Sequence, residues 1–201
     1  MEREISCVGG LNSMNDPYKI CPTFETVNFI FRSVCDKDAI DLLECYSDPK
    51  AQQMFNSDNC LSGFQIESVD QMLHLIQFWQ QEYEKKYYIR FCIVDKKLSK
   101  PVGTIEFFTR NDSSQVYGSI GILRIDLASE YETQGVITEI LQMIEEHFYD
   151  CFEATSIATK AIPIGEQRIY ALLNLGFHGF VDYQIIPYKD YFIKTRNMKL
   201  L

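Results

Sequence analysis

In the middle of the chain a short polar link, 128–134, followed by Gly135 joins an extended segment to a helical segment, and this arrangement can bind an anion. Residues 116–127 are rich in β-branched and bulky apolar side chains, which predicts a strand. After Gly135, apolar residues recur at three- and four-residue steps as far as Phe148, which predicts a helix. The first N–H groups of a helix have no partner within it, so they attract phosphate and other anions. An ordinary strand-to-helix connection without a ligand would show the same pattern.

Composition and charge limit the classes of partner. The chain has 201 residues, of which 46% are hydrophobic and 23% charged, and these values are typical of one globular domain. The formal net charge is −9 and lysines and arginines form no run, so we expect no nucleic-acid partner, because such proteins need a basic face. A membrane is not expected either, since no apolar run reaches the roughly 18 residues of a membrane span.

The cysteine pattern favours free thiols. Seven cysteines are scattered along the chain, none forms a Cys-x-x-Cys pair, and their number is odd. A disulfide framework and a metal site are therefore both disfavoured, and we expect no metal. Mostly buried thiols in a reducing compartment fit better, which predicts a cytoplasmic protein.

The elements that must position the glycine follow one order: strand, helix, helix, three strands, helix, strand, helix, two strands. Residues 1–25 contain the loop-forming Gly9, Gly10, Pro17 and Pro22, which predict an N-terminal arm. Residues 26–201 contain no linker, repeat or low-complexity segment. We therefore predict a single domain over 26–201.

In this order the chain resembles the GCN5-related N-acetyltransferase (GNAT) superfamily over roughly residues 24 to 195. Within the superfamily it most resembles the branch that modifies ribosomal-protein N-termini and related small amines. Five segments carry the resemblance, among them Leu173-Asn-Leu-Gly-Phe177, which is similar to the family's ending before its sixth strand. The others are residues 100–106, 119–121, 131–141 and 188–192.

The resemblance implies an α/β fold: a mixed sheet of about seven strands, with the fourth and fifth parallel and splayed, and four helices. It implies acetyl-coenzyme A as the cofactor, with the pantetheine between the splayed strands and the pyrophosphate at the following helix N-terminus. The implied activity is acetyl transfer to the primary amine of a small molecule or a peptide N-terminus by direct attack, and a homodimer stays open. The implied coenzyme residues are Leu127 at the strand end and the cradle Gln134, Gly135, Val136, Ile137 and Thr138.

The proposed cradle departs from the family pattern. The family usually begins this loop with Arg or Gln and has small residues at three later places, whereas this chain has Glu132 first and only Gly135 as a glycine. If Glu132 points inward, its charge weakens anion binding, and if it points to solvent, it merely complements the helix dipole. A second hypothesis is therefore a GNAT-fold binding module that is catalytically impaired and has an altered coenzyme site.

The catalytic residues are also implied by the resemblance. A base that deprotonates the amine is a carboxylate or a water held by one, and Glu106 and Asp126 are the candidates. The family's usual tyrosine acid falls at Leu172, and Tyr170, about 200° away around a helix, is the nearby candidate acid. Gly165 and Arg168 stand where the family often has Asn and Ser.

Overall fold

The computed structural model describes residues 16–58 and 66–196, so most of the predicted arm lies outside the described residues. The strands are β1 Phe24–Glu25, β2 Phe29–Ser33, β3 Ile89–Asp95, β4 Lys100–Ser114, β5 Gly118–Leu127, β6 Ser156–Lys160, β7 His178–Phe180 and β8 Tyr191–Thr195. The helices are α1 Ala39–Ser47, α2 Pro49–Gln52, α3 Val69–Glu84, α4 Gln134–Cys151 and α5 Glu166–Asn174. None of these helices combines the length and the apolar character that a membrane crossing needs.

The strands form one mixed sheet in the order β1-β2-β3-β4-β5-β6-β8-β7. Only β5 and β6 are parallel among these neighbours, and α4 connects them. A parallel pair needs a crossover of this kind, so the predicted mixed sheet with a parallel central pair is confirmed. The described residues contain eight strands and five helices rather than about seven and four, and the additional elements are the short β1 and α2.

The hydrogen-bonded pairing of β5 and β6 ends before the C-terminal end of either strand. Pairing begins at Ile120↔Ser156 and stops at Leu123↔Thr159, whereas β5 continues beside β4 as far as Leu127. We call the gap between β5 and β6 beyond this last pair the strand opening. It corresponds to the splay that the resemblance implied.

Helix α4 packs against one face of the sheet through the predicted stripe. Ile140, Leu141, Ile144 and Phe148 are each fully buried in the core that α4 and α5 form with the sheet. A second core, built around α1 and α3, covers part of the opposite face. The sheet therefore separates an α4/α5 face from an α1/α3 face.

Burial of Leu141 gives a stability prediction. We expect Leu141→Ala to lower the free energy of unfolding by about 2–5 kcal/mol, because the side chain leaves a cavity in a closed core. Urea denaturation measures this loss. The control is Gln142→Ala, one residue further along the exposed side of α4, for which we expect a change within about 0.5 kcal/mol. Equal losses in the two variants would contradict the packing of α4.

Candidate functional site

The first turn of α4 leaves one backbone donor open. The Gln134 N–H donates to Gln167 Oε1 at 3.2 Å, and the Val136 N–H donates to Thr133 Oγ1 at 3.5 Å. The Ile137 N–H donates to the Thr133 carbonyl at 3.0 Å. Among the described residues the Gly135 N–H has no acceptor, and a Cβ at Gly135 would meet nothing within 4 Å. The helix therefore presents one free N–H on an open surface.

The other proposed cradle residues do not obstruct that surface. Ile137, bulky where the family has a small residue, is fully buried in the α4/α5 core, and Leu127 is buried there too. Val136 and Thr138 are partly exposed at the start of the helix. Access to Gly135 is thus unaffected by the Ile137 side chain.

A small groove lies beside this helix start. Its volume is about 160 Å³, and it lies between the loop before α4 and the start of α5. We call it the α4–α5 groove, and it is lined by Met54, Glu132, Ile164, Gly165, Glu166, Gln167 and Arg168.

Arg168 crosses the groove toward β5. Its side chain is only 4% exposed, it forms an ion pair with Glu132, and it donates to the Ile125 carbonyl at 2.9 Å. The side chain of Glu132 is itself 10% exposed, so the carboxylate points inward. Arg168 compensates the charge of Glu132, so the helix N-terminus does not face an unpaired carboxylate. The sequence suggested no partner for Glu132.

Glu106 and Asp126 meet on the opposite face of the sheet, around a buried arginine. Arg90 pairs with Glu106 and, at 2.9 Å, with Asp126. It also donates to Thr104 Oγ1 at 3.0 Å and lies 4.3 Å from the centroid of the Trp79 ring. We call these residues the Arg90 cluster. Arg90 could have been found from the sequence, because it is a charged residue inside the otherwise apolar run of β3.

Electrostatics fix the protonation of Arg90 and of Tyr46, which also contacts Asp126. Burial acts to lower the pKa of Arg90, but the charge of Glu106, followed by Tyr46 and Asp126, raises it more, so Arg90 stays a cation. Burial, and then Asp126, raise the pKa of Tyr46 well above its usual value, and the neutral phenol donates to Asp126 Oδ2 at 2.8 Å. Asp126 Oδ1 is buried and has no hydrogen-bond partner among the described residues.

Tyr170 lies apart from these carboxylates. It belongs to α5, on the α4/α5 face, and its side chain is 52% exposed. Leu172, at the family's tyrosine position, is fully buried in the α4/α5 core. The structure therefore brings Glu106 and Asp126 together but does not bring Tyr170 to them.

Three further charged residues lie at the strand opening, and the sequence analysis did not find them. Arg124 and Lys160 directly follow the last β5–β6 pair, and Asp58, from the segment after α2, contacts both. Nearby, Asn56 donates to the hydroxyl of Tyr191 at 2.9 Å, and burial raises the pKa of that phenol to about 12. Asp58 is far from Arg124 and Lys160 in the sequence, so the spacing of these residues did not indicate their contacts.

Comparison with known proteins gives one consistent result. The family model described as "Acetyltransferase (GNAT) domain" matches residues 28–178. The uncharacterized N-acetyltransferase YoaA of Bacillus subtilis is 23% identical over 156 residues, which are 78% of this chain and 82% of that protein.

Solved structures share the fold at low identity. The ribosomal-protein-S5-alanine acetyltransferase of Vibrio fischeri superposes with a TM-score of 0.65 at 17% identity, over 88% of this chain and 98% of that one. RimL, a ribosomal L7/L12 alpha-N-protein acetyltransferase solved with coenzyme A, gives 0.63 at 12% identity, over 85% and 95%. The microcin C7 self-immunity acetyltransferase MccE, solved with acetyl-CoA and AMP, gives 0.61 at 11% identity, over 85% and 94%.

Proposed function

The chain belongs to the GNAT acetyltransferase family, and on that premise we propose that it transfers an acetyl group from acetyl-coenzyme A to a primary amine, in a small molecule or at a peptide N-terminus. The observation that carries the proposal is the strand opening beside an α4 N-terminus whose Gly135 N–H is free. We further propose that residues 26–201 act as one domain and residues 1–25 as an arm.

The residues at the start of α4 fit a phosphate group. The Gly135 N–H and the positive end of the helix dipole attract an anion, and the absence of a side chain lets it approach closely. Gln134, Val136, Ile137 and Thr138 shape the turn, and Leu127 ends the strand that borders the opening. When bound, acetyl-coenzyme A supplies the acetyl group as a reactive thioester.

Arg168 has two roles in this proposal. It neutralises Glu132, which would otherwise repel phosphate, and its bond to the Ile125 carbonyl closes the β5 side of the α4–α5 groove. A ligand that lies along β5 requires Arg168 to release Ile125. The ion pair with Glu132 does not depend on that bond, so the guanidinium can move while the carboxylate stays compensated.

On the acceptor side, the geometry supports Asp126 as the base more than Glu106. Asp126 Oδ1 has no hydrogen-bond partner among the described residues, whereas both oxygens of Glu106 face arginines. Arg90 and Tyr46 hold Asp126 in place through its other oxygen. Because Oδ1 is buried, Asp126 accepts a proton from the amine only when the amine, or one water, reaches this oxygen from the strand opening. As an acid, Tyr170 would have to act from its exposed position on α5.

One observation favours the second hypothesis, a binding module with an altered coenzyme site. Thr133, Gln167 and Arg168 satisfy groups that a coenzyme could otherwise contact, namely two N–H groups of α4 and a carbonyl of β5. In that case the groove would be closed by the protein's own side chains. Binding of acetyl-coenzyme A separates the two hypotheses directly.

The Glu132–Arg168 pair gives a binding prediction. We expect Glu132→Gln to tighten acetyl-coenzyme A binding about tenfold, since it removes a negative charge and leaves the Arg168 cation beside the phosphate site. Isothermal titration calorimetry measures the dissociation constant. Glu130→Gln, an exposed glutamate in the same loop, is the control and should bind like the wild type. Equal affinity of the two variants would contradict the assignment of this groove.

A further inference from the structure

Two cationic side chains begin next to each other at the strand opening. Arg124 and Lys160 follow the last pair of β5 and β6, Leu123↔Thr159, so the parallel register places them side by side. Both project from the same face of the sheet as Ile122 and Ala158, two residues earlier in each strand. This face is opposite to α4. Like charges in adjacent positions of a sheet repel, so an anion between them is stabilising.

Asp58 is the anion that the protein supplies. Lys160 Nζ donates to Asp58 Oδ1 at 2.8 Å, and the Arg124 guanidinium donates to the Asp58 carbonyl at 2.6 Å. The side chains of Lys160 and Asp58 are 14% and 11% exposed. The other carboxylate oxygen, Asp58 Oδ2, is buried and has no hydrogen-bond partner among the described residues. Asp58 therefore meets the two cations with one carboxylate oxygen and one carbonyl, and its second carboxylate oxygen makes no hydrogen bond within the described residues.

The Arg90 cluster begins directly beside these cations. Arg124 Nε lies 3.3 Å from Glu106 Oε1, and Glu106 pairs with the same Arg90 that holds Asp126. Positive and negative groups thus lie next to each other at the strand opening, on the face of the sheet opposite to α4. A molecule that carries both an amine and an anionic group would match both charges.

We propose that Arg124 and Lys160 bind an anionic group of the acceptor, a carboxylate or a phosphate monoester, and that Asp58 occupies this position in the free protein. The inference rests on the proposed function in one respect, which is that the acceptor amine enters at the strand opening. A bound carboxylate or phosphate offers two or three oxygens to the two cations, whereas Asp58 offers one carboxylate oxygen and one carbonyl. Asp58 therefore moves aside when such an acceptor binds.

The anion site can be tested without turnover. Asp58→Asn removes the internal anion, and we expect inorganic phosphate to raise the melting temperature of this variant by about 2–4 °C more than that of the wild type, against chloride at equal ionic strength. Adding Lys160→Met to Asp58→Asn should abolish the difference. The matched control is Asp150→Asn, which releases a different cation, Arg196, from its ion pair. If phosphate raises the melting temperature equally in the wild type, Asp58→Asn, Asp58→Asn/Lys160→Met and Asp150→Asn, the proposal is overturned.

Matched acceptors test the specificity. Ethanolamine is compared with O-phosphoethanolamine, and propylamine with β-alanine, in the wild type and in Lys160→Met. We expect the anionic member of at least one pair to have a KM about tenfold lower in the wild type, and Lys160→Met to remove this advantage. The pair with the larger ratio identifies phosphate or carboxylate. If the protein binds acetyl-coenzyme A but uses neutral and anionic amines equally well, the anion site is refuted and the proposed function stands. If it does not bind the coenzyme, the proposed function fails and the phosphate melts alone decide the anion site.

Discussion

Replacing Arg90 with methionine should lower the free energy of unfolding by about 3–5 kcal/mol. Arg90 is 7% exposed and pairs with Glu106 and Asp126, which are 4% and 2% exposed. Removing one partner of a buried ion pair leaves an uncompensated charge, and here two carboxylates lose the same cation. Methionine keeps most of the side-chain volume beside Trp79, so the expected loss comes from charge rather than from a cavity. Guanidinium or urea denaturation measures it.

Two comparisons isolate the cause. Arg196→Met removes an exposed arginine from its pair with Asp150 and should change stability by less than about 1 kcal/mol. The triple variant Arg90→Met/Glu106→Gln/Asp126→Asn should recover part of the loss, because no buried charge remains without a partner. If Arg90→Met is no less stable than Arg196→Met, Arg90 does not compensate two buried carboxylates as the structure has it.

Replacing Arg168 with methionine should have a similar cost, about 3–5 kcal/mol. The side chains of Arg168 and Glu132 are 4% and 10% exposed, and the variant leaves Glu132 enclosed without a cation. The double variant Glu132→Gln/Arg168→Met should be much less destabilised, because both charges are absent. Thermal and chemical denaturation of the wild type, the two single variants and the double variant give the coupling energy as a double-mutant cycle.

A second cycle on an exposed pair provides the reference. Asp150 and Arg196 are 46% and 45% exposed, and we expect their coupling to stay below about 1 kcal/mol. A Glu132–Arg168 coupling no larger than this would show that the pair is effectively solvated, and the α4–α5 groove would then be more open to water than the structure has it.

Much of the fold follows from the sequence because its long elements have clear periods. The stripe from Ile140 to Phe148 predicted which side of α4 is buried, and the helix predicted a parallel β5–β6 pair because a crossover must connect such strands. The elements that were not predicted, β1 with two residues and α2 with four, are too short to show any period.

The candidate site was only partly predictable. Gly135 marks the helix start by itself, since its chemistry is local. Glu132 could be placed near the site, but its direction depends on Arg168, 36 residues later in the chain, and only the fold brings the two together. Asp58 and Lys160 are separated by 102 residues, so their contact left no spacing pattern to recognise. Long-range charge pairs of this kind are set by packing and not by local sequence.

The most direct test of the central claim is a calorimetric titration with acetyl-coenzyme A of the wild type, Gly135→Asp and Gly179→Asp. A Cβ at either glycine meets nothing within 4 Å, so both variants should fold, but only Gly135→Asp places a carboxylate at the start of α4. We predict saturable binding to the wild type and to Gly179→Asp, and binding weaker by about tenfold or more in Gly135→Asp. If neither the wild type nor Glu132→Gln binds acetyl-coenzyme A, the account is contradicted. The protein would then be a binding module with the same fold.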